Sequence, residues 1–423
     1  LEEKFNMPVI NPGDTAFMMF SCALVFLMTP GLAMFYGGMV RRKNVLNTLM
    51  SSFFVCGLAA MLWIFIGYTL SFGTDAGGLG IIGSFNFLGL EGLGETTAYA
   101  PTIPSLAFVA FQMMFAIITP ALITGALAER MRFSALVVFI AVWSVVVYYP
   151  LAHMVWGAGG FLNKLGAVDF AGGTVVHVSS GISGLVACIM LGKRKGHGVL
   201  KYHPHNLPMI FIGAALLWFG WFGFNAGSAL TSGTLAFNAF MTTNTSGAAA
   251  MLTWMLMEKI TRGKPTMLGA VTGAVVGLAT ITQGSGFVSV WSAAIIGAAA
   301  SPICFFAMSV IKDKFGYDDA LDAFGCHGVG GVWGCIATGL FAQNAINPAA
   351  RWDGLVFGSY ELFIRQLAAV GITIAVAGLG TWAIMAVLKK TMQIRVAEKE
   401  ENEGLDHVEH GETAYPAFTG LDQ

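Results

Sequence analysis

"GGTVVHVSSG", residues 172–181, is apolar or small throughout except for a single histidine, His177, at its centre. Its surroundings decide what kind of segment it is. About a quarter of the residues in ordinary soluble domains are charged; in this 423-residue chain 11% are charged and 56% are hydrophobic. The stretch therefore belongs to an integral membrane protein, and His177 is an ionisable group set in lipid-like sequence.

A spanning helix needs roughly 20 mainly apolar residues. Between clusters of charge, Pro and Gly, eleven such segments are read, near 14–38, 45–72, 104–127, 134–156, 172–192, 207–231, 242–260, 267–287, 288–311, 323–343 and 356–388. Their continuous apolar character argues against a β-barrel, whose strands alternate apolar and polar over about ten residues. The first is too long for a cleaved leader and is expected to remain as a crossing. Eleven crossings put the termini on opposite sides, and Lys and Arg concentrate in cytoplasmic loops. With the N-terminus outside, only Lys4, Lys164, Arg351 and Arg365 fall outside; the other 18 of the 22 basic residues, Arg41, Arg130 and Arg194 among them, fall inside. The expected organisation is an all-α transmembrane domain over 1–388 and a charged cytoplasmic tail over 389–423, in a multi-pass protein of the cytoplasmic membrane.

The net charge of −1 gives no reason to expect nucleic acid. All six cysteines fall in apolar segments without Cys-x-x-Cys spacing, so they read as small buried groups and imply no disulfide framework, metal or cofactor. The chain has no His-Glu-x-x-His, no Gly-x-Ser-x-Gly and no phosphate-binding loop, and no enzymatic activity is expected.

The chain repeats itself. "HVSSGISG" from His177 and "HGVGGVWG" from His327 share His-x3-Gly-x2-Gly; "GLAMFYGG" from Gly31 and "GWFGFNAG" from Gly220 share Gly-x3-Phe-x2-Gly. These pairs match helix 5 with helix 10 and helix 1 with helix 6. A repeat of five crossings reverses orientation in its second copy, which gives the inverted-topology design with a substrate site near the midplane. The repeats would be 14–192 and 207–343, with helix 11 (356–388) outside the pseudo-two-fold core. Abundant glycine, 54 residues, suits close helix packing.

Ionisable residues within the bilayer are costly and by default face a cavity or pathway. His177 and His327 would enter from opposite sides and meet near the middle. A structural hydrogen-bonding role is the alternative for either alone, and a haem held between them is another. Charge on adjacent imidazoles in an apolar channel is costly, so a neutral pair is expected, one ring donating N–H to the other. Asp169 and Asp322, each at a helix start, read as N-caps accepting from free backbone N–H groups. Packing or an interfacial belt accounts for most aromatic residues. Phe111, Phe115, Trp156, Trp221 and Phe224 are kept as candidates, with Ser228 beside them, because a Trp face attracts cations and a Ser hydroxyl can accept from N–H.

At these residues the chain resembles the ammonium transporter family (Amt/Mep/Rh), from about Ala16 to Phe418. The motifs are "PGLAMFYGGMVRRKNVL", "GALAERMRFSA", "HMVWGAGG", "DFAGGTVVH", "WFGFNAGSA", "DAFGCHGVGG" and "EGLDHVEHGETAY". The resemblance implies a homotrimer with one pore per subunit that takes ammonium or methylammonium. Trp156, Ser228 and Phe111 would recruit the cation, and Phe115 and Phe224 would close the pore below. His177 and His327 would line it, escorting ammonia, with the proton either returning outside or crossing along the pair, while Asp169 would support structure and cation attraction. Trp156, Ser228 and both histidines are similar to the Amt branch of bacteria and archaea. The tail resembles the segment that engages PII-type signal proteins; a solvated tail is the alternative, as is a sensor with little net flux.

Overall fold

The computed structural model describes residues 10–415. Lys4, used in the charge count, and tail residues 416–423 lie outside them. The described chain is almost wholly helical. Nine helices among the described residues are long and apolar enough to cross a membrane. They are α1 (Pro12–Met39), α2 (Arg42–Phe72), α3 (Ser105–Leu127), α4 (133–156), α5 (Gly173–Leu191), α6 (Leu207–Gly227), α9 (Val290–Phe315), α10 (Phe324–Phe341) and α11 (Glu361–Thr391).

Two further helices occupy the remaining expected segments. Thr234–Arg262 (α7) is long but too polar to be counted, and Met267–Ile281 (α8) is apolar but short. The polarity of α7 has a local cause. Thr242 Oγ1 donates to the Ser285 carbonyl (2.8 Å), Ser246 Oγ to that of Gly277 (2.8 Å), and Thr243 Oγ1 accepts from Asn225 Nδ2 (2.9 Å). Its hydroxyls face neighbouring helices, where interhelical hydrogen bonds are worth about 1 kcal/mol or less each. The helix also begins eight residues before the expected 242. Helix α11 runs to Thr391, three residues past the expected end of that segment at 388.

The packing follows the glycine pattern. α1 lies along α6, and a Cβ added at Gly213 would stand 2.3 Å from the Phe35 backbone nitrogen, so only glycine admits this approach. Large apolar side chains point outward from many helices, including Phe20, Phe65, Trp382 and Val387. Such a surface would aggregate in water and suits a lipid solvent. A small hairpin, Thr96–Thr97 with Ala100–Pro104, lies in the long α2–α3 connection.

The tail is folded onto the chain. The Arg132 N–H donates to the Ile394 carbonyl (3.0 Å) and the Val396 N–H to that of Arg130 (3.1 Å). Two short helices follow, α12 (Glu398–Glu403) and α13 (Leu405–His410). The Glu401 carboxylate accepts from the Lys195 N–H (2.7 Å), the Leu405 N–H donates to Asn44 Oδ1 (2.8 Å), and Asp406 accepts from the Asn47 N–H (2.8 Å). The described part of the tail is therefore docked on the α3–α4 and α5–α6 connections and on the start of α2.

Candidate functional site

Three cavities lie in succession through the interior. The first opens on the face opposite the tail and is lined by Phe72, Tyr99, Phe115, Trp156, Phe170 and Ser228. The second is narrow and mostly apolar, with Met28, Leu32, Trp221 and Phe224 in its wall beside His177, His327, Asp322 and Tyr36. The third faces the tail side and includes Arg41, Glu129, Arg194, Tyr202 and Asp322. The second and third share Asp322 and Cys326. Between the first and second stand the rings of Phe115 and Phe224, with centroids 4.3 Å apart.

Each aromatic candidate is anchored. Trp156 Nε1 donates to the Asp169 carbonyl (2.9 Å), and its indole meets Phe115 edge-on at 6.0 Å. Ser228 Oγ donates to the Phe224 carbonyl (2.8 Å), which leaves its lone pairs able to accept. Trp221 Nε1 donates to Thr282 Oγ1 (2.9 Å) and stacks on His177 at 5.6 Å. Phe111 departs from expectation. It is fully buried, packs edge-on against Phe115 at 5.0 Å, and is not part of the first cavity's wall. Phe115, one turn further along α3, provides the aromatic face to that cavity and also the ring opposite Phe224.

The two histidines are brought together. Their rings stack at 5.1 Å with planes 14° apart, at 1% and 3% exposure. They do not hydrogen-bond to each other as expected: both ring nitrogens of His177 and Nδ1 of His327 lack any hydrogen-bond partner in the protein. Buried polar atoms are nearly always satisfied, so exceptions call for an explanation. Parallel rings this close leave no space for a macrocycle between them, which removes the haem alternative.

Local construction is the same at both histidines. Each sits in a wide π-helical turn, Gly173–Val178 or Phe324–Val329, a feature frequent at functional sites. The Asp169 carboxylate accepts from the N–H groups of Gly172 (2.6 Å), Gly173 (2.8 Å), Thr174 (2.8 Å) and Val175 (3.3 Å), and from the Thr174 hydroxyl. At the other histidine the cap is Asp319, which accepts from Ala323 (3.1 Å) and Phe324 (2.7 Å). This corrects the assignment of Asp322, whose carboxylate instead pairs with Lys312 at 2.6 Å. Asp322 has φ +57°, and Gly172, also three residues after its cap, has φ +104°. Cap and histidine are eight residues apart in both cases, a spacing that could have found Asp319. The contacts are reciprocal too. A Cβ on Gly181 would strike the Gly328 nitrogen at 2.1 Å, and one on Gly331 would lie 3.0 Å from the Val178 nitrogen. In each direction, the residue four after one histidine meets the residue one after the other.

The tail-side cavity carries a buried charge network that the sequence did not disclose. Glu129, at φ +70°, accepts from Arg41 Nε (2.9 Å), Asn44 Nδ2 (2.9 Å) and Arg194 Nη1 (2.7 Å), while Arg194 also grips Asp318 (2.8 Å). Burial pushes the Glu129 carboxyl up, but Arg194 and Arg41 outweigh it and hold its pKa at about 2 against an ordinary 4.5. Because the folded value is depressed, the resulting stability is fully present above pH 4.5 and is lost as pH falls through about 2. The wild-type protein is therefore expected to lose about 3 kcal/mol between those pH values that Glu129→Gln does not lose. Melting temperatures of both in detergent from pH 6 to 3 should converge; a constant gap would contradict the assignment.

These features define a helical, multi-pass membrane protein with two stacked histidines in the wall of an interior cavity. The model of the Ammonium Transporter Family matches residues 16–415, and the chain belongs to that family. It is 51% identical over 404 residues to an ammonium transporter of Bacillus subtilis, covering 95% of this chain and 98% of the relative. The ammonium transporter Amt1 of Archaeoglobus fulgidus is 46% identical over 408 residues, 96% of this chain and 100% of the relative. Among solved structures, Saccharomyces cerevisiae Mep2 aligns with TM-score 0.87 at 32% identity, covering 99% of this chain and 94% of that one. A protein titled Sensor Amt Protein aligns with TM-score 0.87 at 28% identity, over 94% and 98%.

Proposed function

We propose that the protein carries ammonium across the cytoplasmic membrane as ammonia, by way of the two histidines. The observation that carries this reading is the pair of stacked, buried imidazoles with unpartnered ring nitrogens, set in an apolar cavity between two wider ones. Ammonium is nearly the size of potassium, so diameter cannot separate them. Chemistry can: ammonium is recruited beside Trp156, Phe115 and Ser228, gives up its proton to water in the first cavity, and crosses as ammonia hydrogen-bonded to His177 and His327, the proton either returning outside or being relayed separately along the imidazole pair. Potassium has no proton to lose and is excluded by the cost of stripping its water. Proteoliposome uptake of labelled methylammonium should be competed by ammonium and indifferent to equal potassium; competition by potassium would sink the reading.

All eleven helices cross in this account, α1–α5 and α6–α10 forming inverted halves with α11 outside them. The equal cap-to-histidine spacing and the reciprocal glycine contacts support that symmetry. The basic loops favour a cytoplasmic tail face, and family membership supports a homotrimer. The docked tail is assigned to a PII-type partner at the cytoplasmic mouth. Deleting residues after Lys390 should abolish retention of such a partner by the immobilised transporter, and undiminished retention would remove this role. The structural likeness to a sensor favours one second reading, a signalling protein with little flux, which the same uptake measurement separates.

A further inference from the structure

We infer that Gln366, on α11, is a positioning residue for the recruitment site. The inference rests on the proposed role of Trp156. Gln366 is fully buried and holds both polar groups of a single residue: its Oε1 accepts from the Val168 N–H (2.9 Å) and its Nε2 donates to the Val168 carbonyl (2.9 Å). The next residue, Asp169, offers the carbonyl that holds the Trp156 indole. The one after, Phe170, lines the first cavity, and its N–H donates to the Gln283 carbonyl (3.0 Å). The Gln283 side chain also spans the segment, donating to the Val168 carbonyl and accepting from the Thr174 N–H (3.0 Å).

Residues 168–170 thus have no regular secondary structure of their own and take their shape from two glutamine side chains. The helix outside the pseudo-symmetric halves thereby fixes the strip of backbone from which the indole hangs. A buried amide gripping both the N–H and the carbonyl of one residue leaves that residue little freedom to shift, and removing it leaves the Val168 N–H without its partner. The histidine pair is insulated from that change, because the Asp169 carboxylate remains tied to four N–H groups at the start of α5. Loss of the clamp should therefore affect recruitment and spare passage.

The test is methylammonium transport by the reconstituted full chain carrying Gln366→Met, with Thr373→Val as a control and Trp156→Leu as a reference. Thr373 is a second buried polar residue on α11, and its hydroxyl has no partner. Gln366→Met should raise the half-saturation concentration about three- to ten-fold with maximal rate per folded molecule retained, the signature of lost uniform binding. Thr373→Val should leave both unchanged, and Trp156→Leu should raise half-saturation further. If Gln366→Met does not accumulate, Gln366→Glu serves: it keeps an acceptor for the Val168 N–H but faces its carbonyl with a second acceptor, and should shift half-saturation likewise. A shift with Trp156→Leu but none at residue 366 overturns the inference alone. No shift with Trp156→Leu overturns the recruitment reading, and this inference with it. A fall in maximal rate at unchanged half-saturation would make Gln366 merely structural.

Discussion

Replacing His177 and His327 together by leucine is expected to cut methylammonium flux about a hundred-fold while leaving the protein folded. The ring nitrogens bond to nothing in the protein, so leucine removes no internal hydrogen bond. Substituting an unsatisfied buried polar group by an apolar one of similar size is close to neutral or stabilising. An ammonia molecule entering the same cavity, by contrast, would lose both imidazoles and keep, among apolar walls, only the Tyr36 hydroxyl, already bonded to the Leu122 carbonyl, and Asp322, already paired with Lys312. Each hydrogen bond it fails to make costs roughly 1–3 kcal/mol in such surroundings, and two such losses reach a hundred-fold or more. The check is initial uptake alongside a melting curve. Undiminished, potassium-rejecting flux through the double variant would show that the imidazoles are not part of the path.

The second large effect falls on stability. Asp169→Ala strands the N–H groups of Gly172, Gly173 and Val175 and the Thr174 hydroxyl, while the Thr174 N–H keeps Gln283 Oε1; at roughly 1–3 kcal/mol for each unsatisfied group, it should prevent accumulation of folded protein. Asp319→Ala strands two N–H groups and should lower the melting temperature clearly without abolishing the fold. Asp322→Ala removes a half-exposed pair with Lys312, worth about 1 kcal/mol or less. The predicted order of damage is therefore residue 169, then 319, then 322, read by yield and melting temperature. An Asp322 variant as damaged as the Asp319 variant would return the cap to the position first expected from sequence.

That misplacement shows where the sequence stops being legible. "DDALDAFGCH" offers three aspartates before the histidine, and the one nearest the helix looks like the cap. The left-handed φ of Asp322 carries the chain away from that position, and no composition rule announces it. Phe111 and Phe115 are one turn apart on one helix, so only three-dimensional packing decides which ring faces the first cavity. The Glu129 network was hidden for another reason: its partners Arg41, Arg194 and Asp318 come, like Glu129 itself, from separate connections, each of which alone reads as ordinary loop charge. Most of the helices, by contrast, were readable because lipid allows little but long apolar runs. The histidine pair was readable because a costly residue appears twice in one pattern. The polar α7 and the docked tail fall between these cases, since their residues are satisfied by neighbours remote in sequence.

The central claim is that selectivity comes from ammonium's loss of a proton before ammonia crosses along the two imidazoles. Its most direct test is electrophysiology on reconstituted protein, with pulses of ammonium, methylammonium and potassium at several pH values, paired with uptake of labelled methylammonium. The account predicts uptake of methylammonium competed by ammonium, no current to potassium at any pH, and loss of both uptake and any ammonium-evoked current in the double histidine variant. A potassium current comparable to that of ammonium would contradict it.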